Sequence, residues 1–258
     1  MMKRSPPAGA QAVLRAISLL KAFPPDRPER DVAELASAAG LSRSTTHRLL
    51  AALESEGLVT RAEGSNRYRL GPETVVLGAR ALRGVRLRET VRQELQRLAE
   101  ETGETATLEV LTQGKMLILD EVLGAHLVGA SPSLGTSWAL HATSTGKALL
   151  AELPRARILA LIAQPLARFT ERTIVSLSAL EDELSRIRQD GFATVSGELE
   201  EGYAAAGAVI HVPMTEPYAS LSVGGPSARL QETELRELGG LLKARAEEVS
   251  RRLGHEPV

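Results

Sequence analysis

The stretch from Asp31 to Leu70 constrains the fold more than any other part of the chain. It reads DVAELASAAGLSRSTTHRLLAALESEGLVTRAEGSNRYRL. Asp31 followed three residues on by Glu34 is a capping-box pattern and predicts a helix start. Val32, Leu35 and Ala36 give that helix one apolar face, and Gly40 closes it as a C′ glycine. Ser42 then caps a second helix that runs to about Ser55 before Gly57. Thr46, Leu49, Leu50 and Leu53 form its inward stripe. Leu58-Val59 and Tyr68-Arg69-Leu70 flank the polar turn Glu63-Gly64-Ser65-Asn66, which predicts a hairpin. Two short helices, a glycine turn and a hairpin in this order read as a winged helix-turn-helix.

The outer face of the second helix narrows what that module meets. Ser44, Arg48 and Ala51 lie opposite the inward stripe, with Thr45 and His47 on its flanks. Small hydroxyls beside one arginine suit close approach to base edges in a major groove, with Arg48 the best candidate for guanine. If Tyr68 and Leu70 of the hairpin point inward, Arg67 and Arg69 point outward together. With Arg43 they are placed to hold phosphate. The expected partner is double-stranded operator DNA, read by Arg43, Ser44, Thr45, His47, Arg48, Arg67 and Arg69. A winged helix used only for protein contacts is the alternative.

Charge supports the division of the chain. Residues 1–92 hold sixteen Lys and Arg against nine Asp and Glu, a net of +7, within a chain whose total is −1. A basic module joined to an acidic one is the expected arrangement. The chain has no Cys, so disulfides, thiol nucleophiles and Cys-based metal sites are excluded. Its apolar runs are too short for a membrane span, and MMKRSPPAGAQ lacks the apolar stretch of a signal peptide. A cytoplasmic protein without membrane contact is expected.

The predicted organisation is a flexible start over 1–10, a winged helix-turn-helix over 11–72, a linker helix over 73–88 and a second domain over 89–258. Gln11–Ala22 reads as a helix. The linker carries Leu77, Ala81, Leu82 and Val85 against arginines and is expected to break or bend near Gly84. A dimer seam and packing on its own domain fit it equally. Beyond it, a helix at Thr90–Glu101 precedes strand-like text at Thr105–Leu111, Met116–Val122 and Leu127–Ala130. Helices are expected at Ser144–Leu150, Pro154–Ile162 and Leu177–Asp190. Strands return at Phe192–Ser196, Ala208–Val212 and Tyr218–Val223, before a helix from about Thr233 to Leu253. This order predicts an α+β domain with a mostly antiparallel sheet.

Across nearly its whole length the chain resembles the IclR family of bacterial transcription regulators. The matching text is VLRAISLLKAF, LSRSTTHRLLAALESEGLV, RYRLGPE, LHATSTGKALLAELP, the DGF turn, the Glu200-Glu201-Gly202 step and SLSVGGP. The resemblance implies a profilin-like or GAF-like effector domain in the C-terminal part. It also implies a homodimer or dimer of dimers on near-palindromic operators, and a small organic-acid effector. Carried over, the effector positions are Ser144, Thr145, Val195, Tyr203, Ala205, Ser222 and Gly224, with Trp138 on the pocket wall. Where some members have an acidic residue and a cysteine, this chain has Val195 and Ala205, and a serine is missing at Gly224. Tyr203 and Trp138 would either shrink the cavity or stack on a flat ligand. The second points to a carboxylate-bearing ligand with an apolar or aromatic body, and two ordinary core aromatics is the other reading. Hydroxyls and backbone N–H groups at Ser144–Gly146 suit an anion at a helix N-terminus. Plain N-capping by Ser144 is the other reading.

Enzyme chemistry finds little support. Ser144-Thr145-Gly146-Lys147 fits S-x-x-K, the acylating-serine pattern, but no K-T-G or S-D-N partner text occurs. A phosphate-binding loop fails for want of its first glycine and of Ser or Thr at Ala148. Lys147 is expected in helix packing or a salt bridge. His47, His126, His141, His211 and His255 show no metal-ligand spacing, so no metal or other cofactor is expected; His211 is placed at the pocket border.

Overall fold

The computed structural model describes residues 10–24, 27–62, 64–83, 86–126, 133–213 and 216–255. The chain divides into two compact units, Met1–Gly84 and Val85–Val258.

The first unit holds α1 (Gln11–Leu20), α2 (Val32–Ala39), α3 (Arg43–Ser55), β1 (Val59–Arg61), β2 (Tyr68–Leu70) and α4 (Pro72–Arg83). The capping box is complete. Glu34 N–H donates to Asp31 Oδ1 at 2.9 Å, and Asp31 N–H donates to Glu34 Oε2 at 3.0 Å. Gly40 leaves α2 at φ +65°, a left-handed conformation that costs glycine no steric penalty. Ser42 caps α3 through the Thr45 N–H. Leu19, Leu35, Leu50, Leu53, Val59 and Tyr68 make the core. Each fully buried leucine contributes about 1.5–3 kcal/mol. β1 and β2 pair antiparallel, and Arg30 adds a bridge to Tyr68.

Two details of the hairpin differ from expectation. Leu70 is 43% exposed instead of facing inward, while Val59 and Tyr68 supply the hairpin's part of the core. Arg67 precedes β2 and is only half exposed, its guanidinium turned onto Glu34. The two wing arginines therefore do not point out together. Glu63 of the expected turn lies outside the described residues, as do residues 84 and 85 with the expected bend. The linker expected over 73–88 is divided between α4 and the next helix, which begins at Arg86.

The second unit comprises α5 (Arg86–Thr102), β3 (Thr105–Thr112), β4 (Lys115–Val122), β5 (Ser137–Ala139), α6 (Ser144–Ala151), α7 (Arg155–Leu161), α8 (Leu177–Asp190), β6 (Ala193–Ser196), β7 (Tyr203–Ile210), β8 (Ala219–Pro226) and α9 (Glu232–Arg252). Its strands form one antiparallel sheet in the order β5-β4-β3-β8-β7-β6. The expected strand over 127–130 lies outside the described residues. β5 was not anticipated, and β7 begins five residues earlier than its text predicts.

Strand alternation separates the two faces of this sheet. Ala106, Leu108, Ala204, Ala206, Ala208, Leu221 and Val223 join Leu95, Leu98, Leu238 and Leu242 in a core beneath α5 and α9. The opposite face presents Thr105, Thr107 and Glu109 of β3 beside Ser222 and Gly224 of β8 and Ala205 of β7. α6 and α8 pack over part of it, with Leu149, Leu150, Leu180 and Leu184 in a second core. α6 approaches closely because β7 carries Gly207. A Cβ there would meet Thr145 N at 2.9 Å and Ser144 Oγ at 3.0 Å.

Candidate functional site

In the first unit, α3 presents Arg43, Ser44, His47 and Arg48 to solvent, while Thr46 is buried beneath them. Thr45 is half buried, and its Oγ1 accepts the Ser42 hydroxyl at 2.9 Å. Arg69 is exposed on β2. Arg67 donates to Glu34 Oε2 at 3.0 Å, and Arg27 meets Glu34 Oε1 at 2.5 Å. The Asp31 N–H and the Arg67 guanidinium hold the Glu34 carboxyl below its ordinary pKa. Four of the seven expected contacts thus share one exposed helix face, and a fifth stands on the wing.

In the second unit, a cavity of about 510 Å³ opens over the polar face of the sheet. Its lining includes Trp138, Ser144, Val195, Tyr203, Ala205, Ser222 and Gly224, seven of the eight expected effector positions. Thr145 is not on the lining. Its hydroxyl donates instead to Glu109 Oε2 at 2.7 Å. The cap of α6 is Thr143, whose Oγ1 accepts Gly146 N–H at 3.2 Å, so Ser144 is not the capping residue. Ser144 Oγ stands 3.4 Å from Ser222 Oγ, which itself donates to the Ala206 carbonyl at 2.9 Å. The cavity wall therefore offers two neighbouring hydroxyls at a helix start.

Glu200 of the Glu200-Glu201-Gly202 step also lines the cavity, as do Thr105, Thr107, Glu109 and Ile118, to which no sequence motif points. The alternation of β3 carries Thr105, Thr107 and Glu109, since Ala106 and Leu108 face the core beneath. Burial raises the Glu109 pKa, and the hydroxyls of Thr145 and Thr107 offset this only in part. Tyr203 is raised too, by burial first and by the Glu109 charge second.

His211 lies away from this cavity. Its Nε2 pairs with Glu152 Oε2 at 2.7 Å and its ring stacks on His255, which places it at the end of β7 distant from Tyr203. A shallower hollow of about 590 Å³ between α6 and α8 is lined by Glu152, Ile187 and Arg188. Arg188 Nε donates there to the Ala151 carbonyl at 2.6 Å.

Lys147 is wholly buried, with its ammonium 3.0 Å from Glu183 Oε1 and 2.8 Å from Glu198 Oε1. That pairing takes it out of the role of a base for Ser144. Among the described residues, no cluster of three or more His, Asp or Glu could hold a metal ion, and no helix is long and apolar enough to cross a membrane.

Residues 12–63 match the family model of the IclR helix-turn-helix domain, and residues 79–251 match that of the bacterial transcriptional regulator IclR C-terminal domain. The chain belongs to the IclR family. This IclR regulator is 31% identical over 243 residues to the acetate operon repressor of Salmonella typhimurium, covering 93% of this chain and 89% of the repressor. It is 36% identical over 234 residues to the HTH-type transcriptional regulator Rv1719 of Mycobacterium tuberculosis, covering 91% and 89% of the two chains. Among solved structures it is similar to an IclR homolog from Microbacterium hydrocarbonoxydans complexed with 4-hydroxybenzoate. There the TM-score is 0.78 at 25% identity, covering 94% of this chain and 99% of that one. As an IclR member the chain is a transcription regulator with a DNA-binding helix-turn-helix and an effector domain, and not an enzyme.

Proposed function

We propose that this regulator binds a near-palindromic operator as a homo-oligomer and alters that binding when a small organic acid occupies the cavity of its second unit. The observation that carries the reading is the convergence of Ser144, Ser222, Trp138 and Tyr203 on one cavity of about 510 Å³. Two hydroxyls at a helix start suit a carboxylate, and two aromatic side chains suit a flat apolar body. The acid bound by the similar solved protein, 4-hydroxybenzoate, has that form.

On the DNA side, Arg48 and Ser44 face bases, His47 flanks them, and Arg43 and Arg69 hold phosphate. Homo-oligomer formation is supported by apolar surface that the first unit leaves uncovered. Val13, Leu14 and Ile17 of α1 and Val75, Val76 and Leu77 of α4 are all more than a third exposed. A second copy of the chain would cover such faces.

The test is selection of fragmented genomic DNA from the source organism by the purified protein, with and without a panel of aromatic and short-chain acids. Enrichment of a few palindromes that shifts with an aromatic acid is the expected result. Absence of enrichment under every condition would favour a metabolite-binding protein that works through protein contacts.

A further inference from the structure

We propose that Glu109 is a ligand-binding group of the effector cavity, meeting the carboxylate of an acid effector as a neutral carboxyl, so that monoanionic acids enter together with one proton. The proposal rests on the organic-acid reading above and deepens it.

Glu109 projects from β3 into the cavity and is only 6% exposed. Its Oε2 accepts the Thr145 hydroxyl at 2.7 Å and its Oε1 accepts the Thr107 hydroxyl at 3.1 Å. Thr145 is the second residue of α6, so the carboxyl sits beneath the first turn of that helix, beside Ser144. This is the place where an effector carboxylate would be received. The chain has put an acid of its own there.

Nothing nearby neutralises it among the described residues. The ionisable side chains lining the cavity are Glu109, Glu200, Glu201 and Tyr203, every one an acid. From α6 the one ionisable residue is Lys147, held by Glu183 and Glu198. From β4 the residue opposite Glu109 is Ile118. Further along β4, Asp120 is paired with Arg88 and Arg92, and Glu121 accepts the amides of Ser133 and Leu134. β8 sets Ser220 opposite Glu109 and holds no ionisable residue, while β7 holds only Tyr203.

A second carboxylate brought into this space would face an ionised Glu109 without an intervening cation. Two carboxylates at close range in a buried site share a proton instead of both ionising. Burial already favours the neutral form of Glu109. The proton comes from solvent, and the neutral carboxyl donates it in a hydrogen bond to the ligand oxygen. The Thr107 hydroxyl, which also lines the cavity, can rotate to release its acceptor.

Titration calorimetry of the full-length protein and of Glu109→Gln tests this, with benzoate and benzylamine as probes at about pH 6 and about pH 8. Wild-type affinity for benzoate is expected to fall up to about tenfold per pH unit as Glu109 ionises. Repeating the titration in buffers of different ionisation enthalpy should show proton uptake by the wild type that rises toward one between about pH 6 and about pH 8, as more Glu109 is ionised in the free protein, a reading that needs no variant. Glu109→Gln should bind benzoate with little pH dependence and no proton uptake. Benzoate binding by the wild type with a flat pH profile and no proton uptake would overturn the role of Glu109 while leaving the organic-acid reading intact. Preference for benzylamine, lost in Glu109→Gln, would overturn it in favour of an ionised Glu109 that reads a cation. If neither folded protein binds benzoate or any acid of the panel above at either pH, the organic-acid reading falls and this inference with it.

Discussion

The Tyr203 hydroxyl occupies the space that a side chain on Gly224 would need. A Cβ at 224 would also meet Tyr203 Cζ at 2.7 Å and Ala205 Cβ at 2.9 Å. The serine missing from β8 and the tyrosine on β7 are therefore one arrangement. Gly224→Ala should cost about 1–3 kcal/mol in urea denaturation, the range for overpacking. Combined with Tyr203→Ala, the cost should be clearly less than the sum of the two single changes. Additive values would show that the two positions do not share this space.

Removing the buried ammonium of Lys147 should be severe. Lys147→Met leaves Glu198 buried without its cation, and breaking a buried pair costs about 3–5 kcal/mol. Lys147→Met with Glu198→Gln should recover much of that loss, because the orphaned charge is gone. Chemical denaturation of the two variants at neutral pH decides it. Equal stability of the single and double variants would mean that the charge of Glu198 is not the cause.

Stability should fall as pH rises through the native titration of Glu109. Its folded pKa lies above the ordinary 4.5, so the folded protein holds a proton that the unfolded chain has released. Folding is therefore most favoured below 4.5 as far as this group is concerned, and loses ground from there up to the folded value. Glu109→Gln should raise the Tm at about pH 8 and change it little near pH 4. An unchanged Tm difference across that range would contradict the assignment.

On DNA, two of the exposed arginines, Arg48 and Arg69, should fail differently. Arg48→Ala should reduce discrimination between operator and scrambled duplex by about 1–3 kcal/mol. Arg69→Ala should weaken both duplexes alike and lower the salt slope by about 1. Fluorescence anisotropy over a range of salt concentrations separates these outcomes. Intact operator preference in Arg48→Ala would remove α3 from the groove.

Much of the fold was readable because its signals are local. The Asp31–Glu34 box, Gly40 and Ser42 each act within a few residues, and all three hold in the structure. The first half of β7, Tyr203-Ala204-Ala205-Ala206-Gly207, is poor strand text. Its small residues let α6 press on one face and α9 on the other, a demand set by packing rather than by propensity. β5 is three residues long and gains its place only by pairing with β4. Glu109 escaped notice for a related reason. Its meaning depends on the empty space above it and on Thr145, thirty-six residues away in sequence.

Glu34 ends up with three unrelated attachments: the start of α2, Arg27 and Arg67 beside the wing. In a genetic screen for loss of repression or activation, substitutions at this position should therefore be recovered alongside those at Arg48. The carboxylate would score as a contact residue through its hold on Arg27, Arg67 and the start of α2. A footprint would then retain every protected base and lose only occupancy.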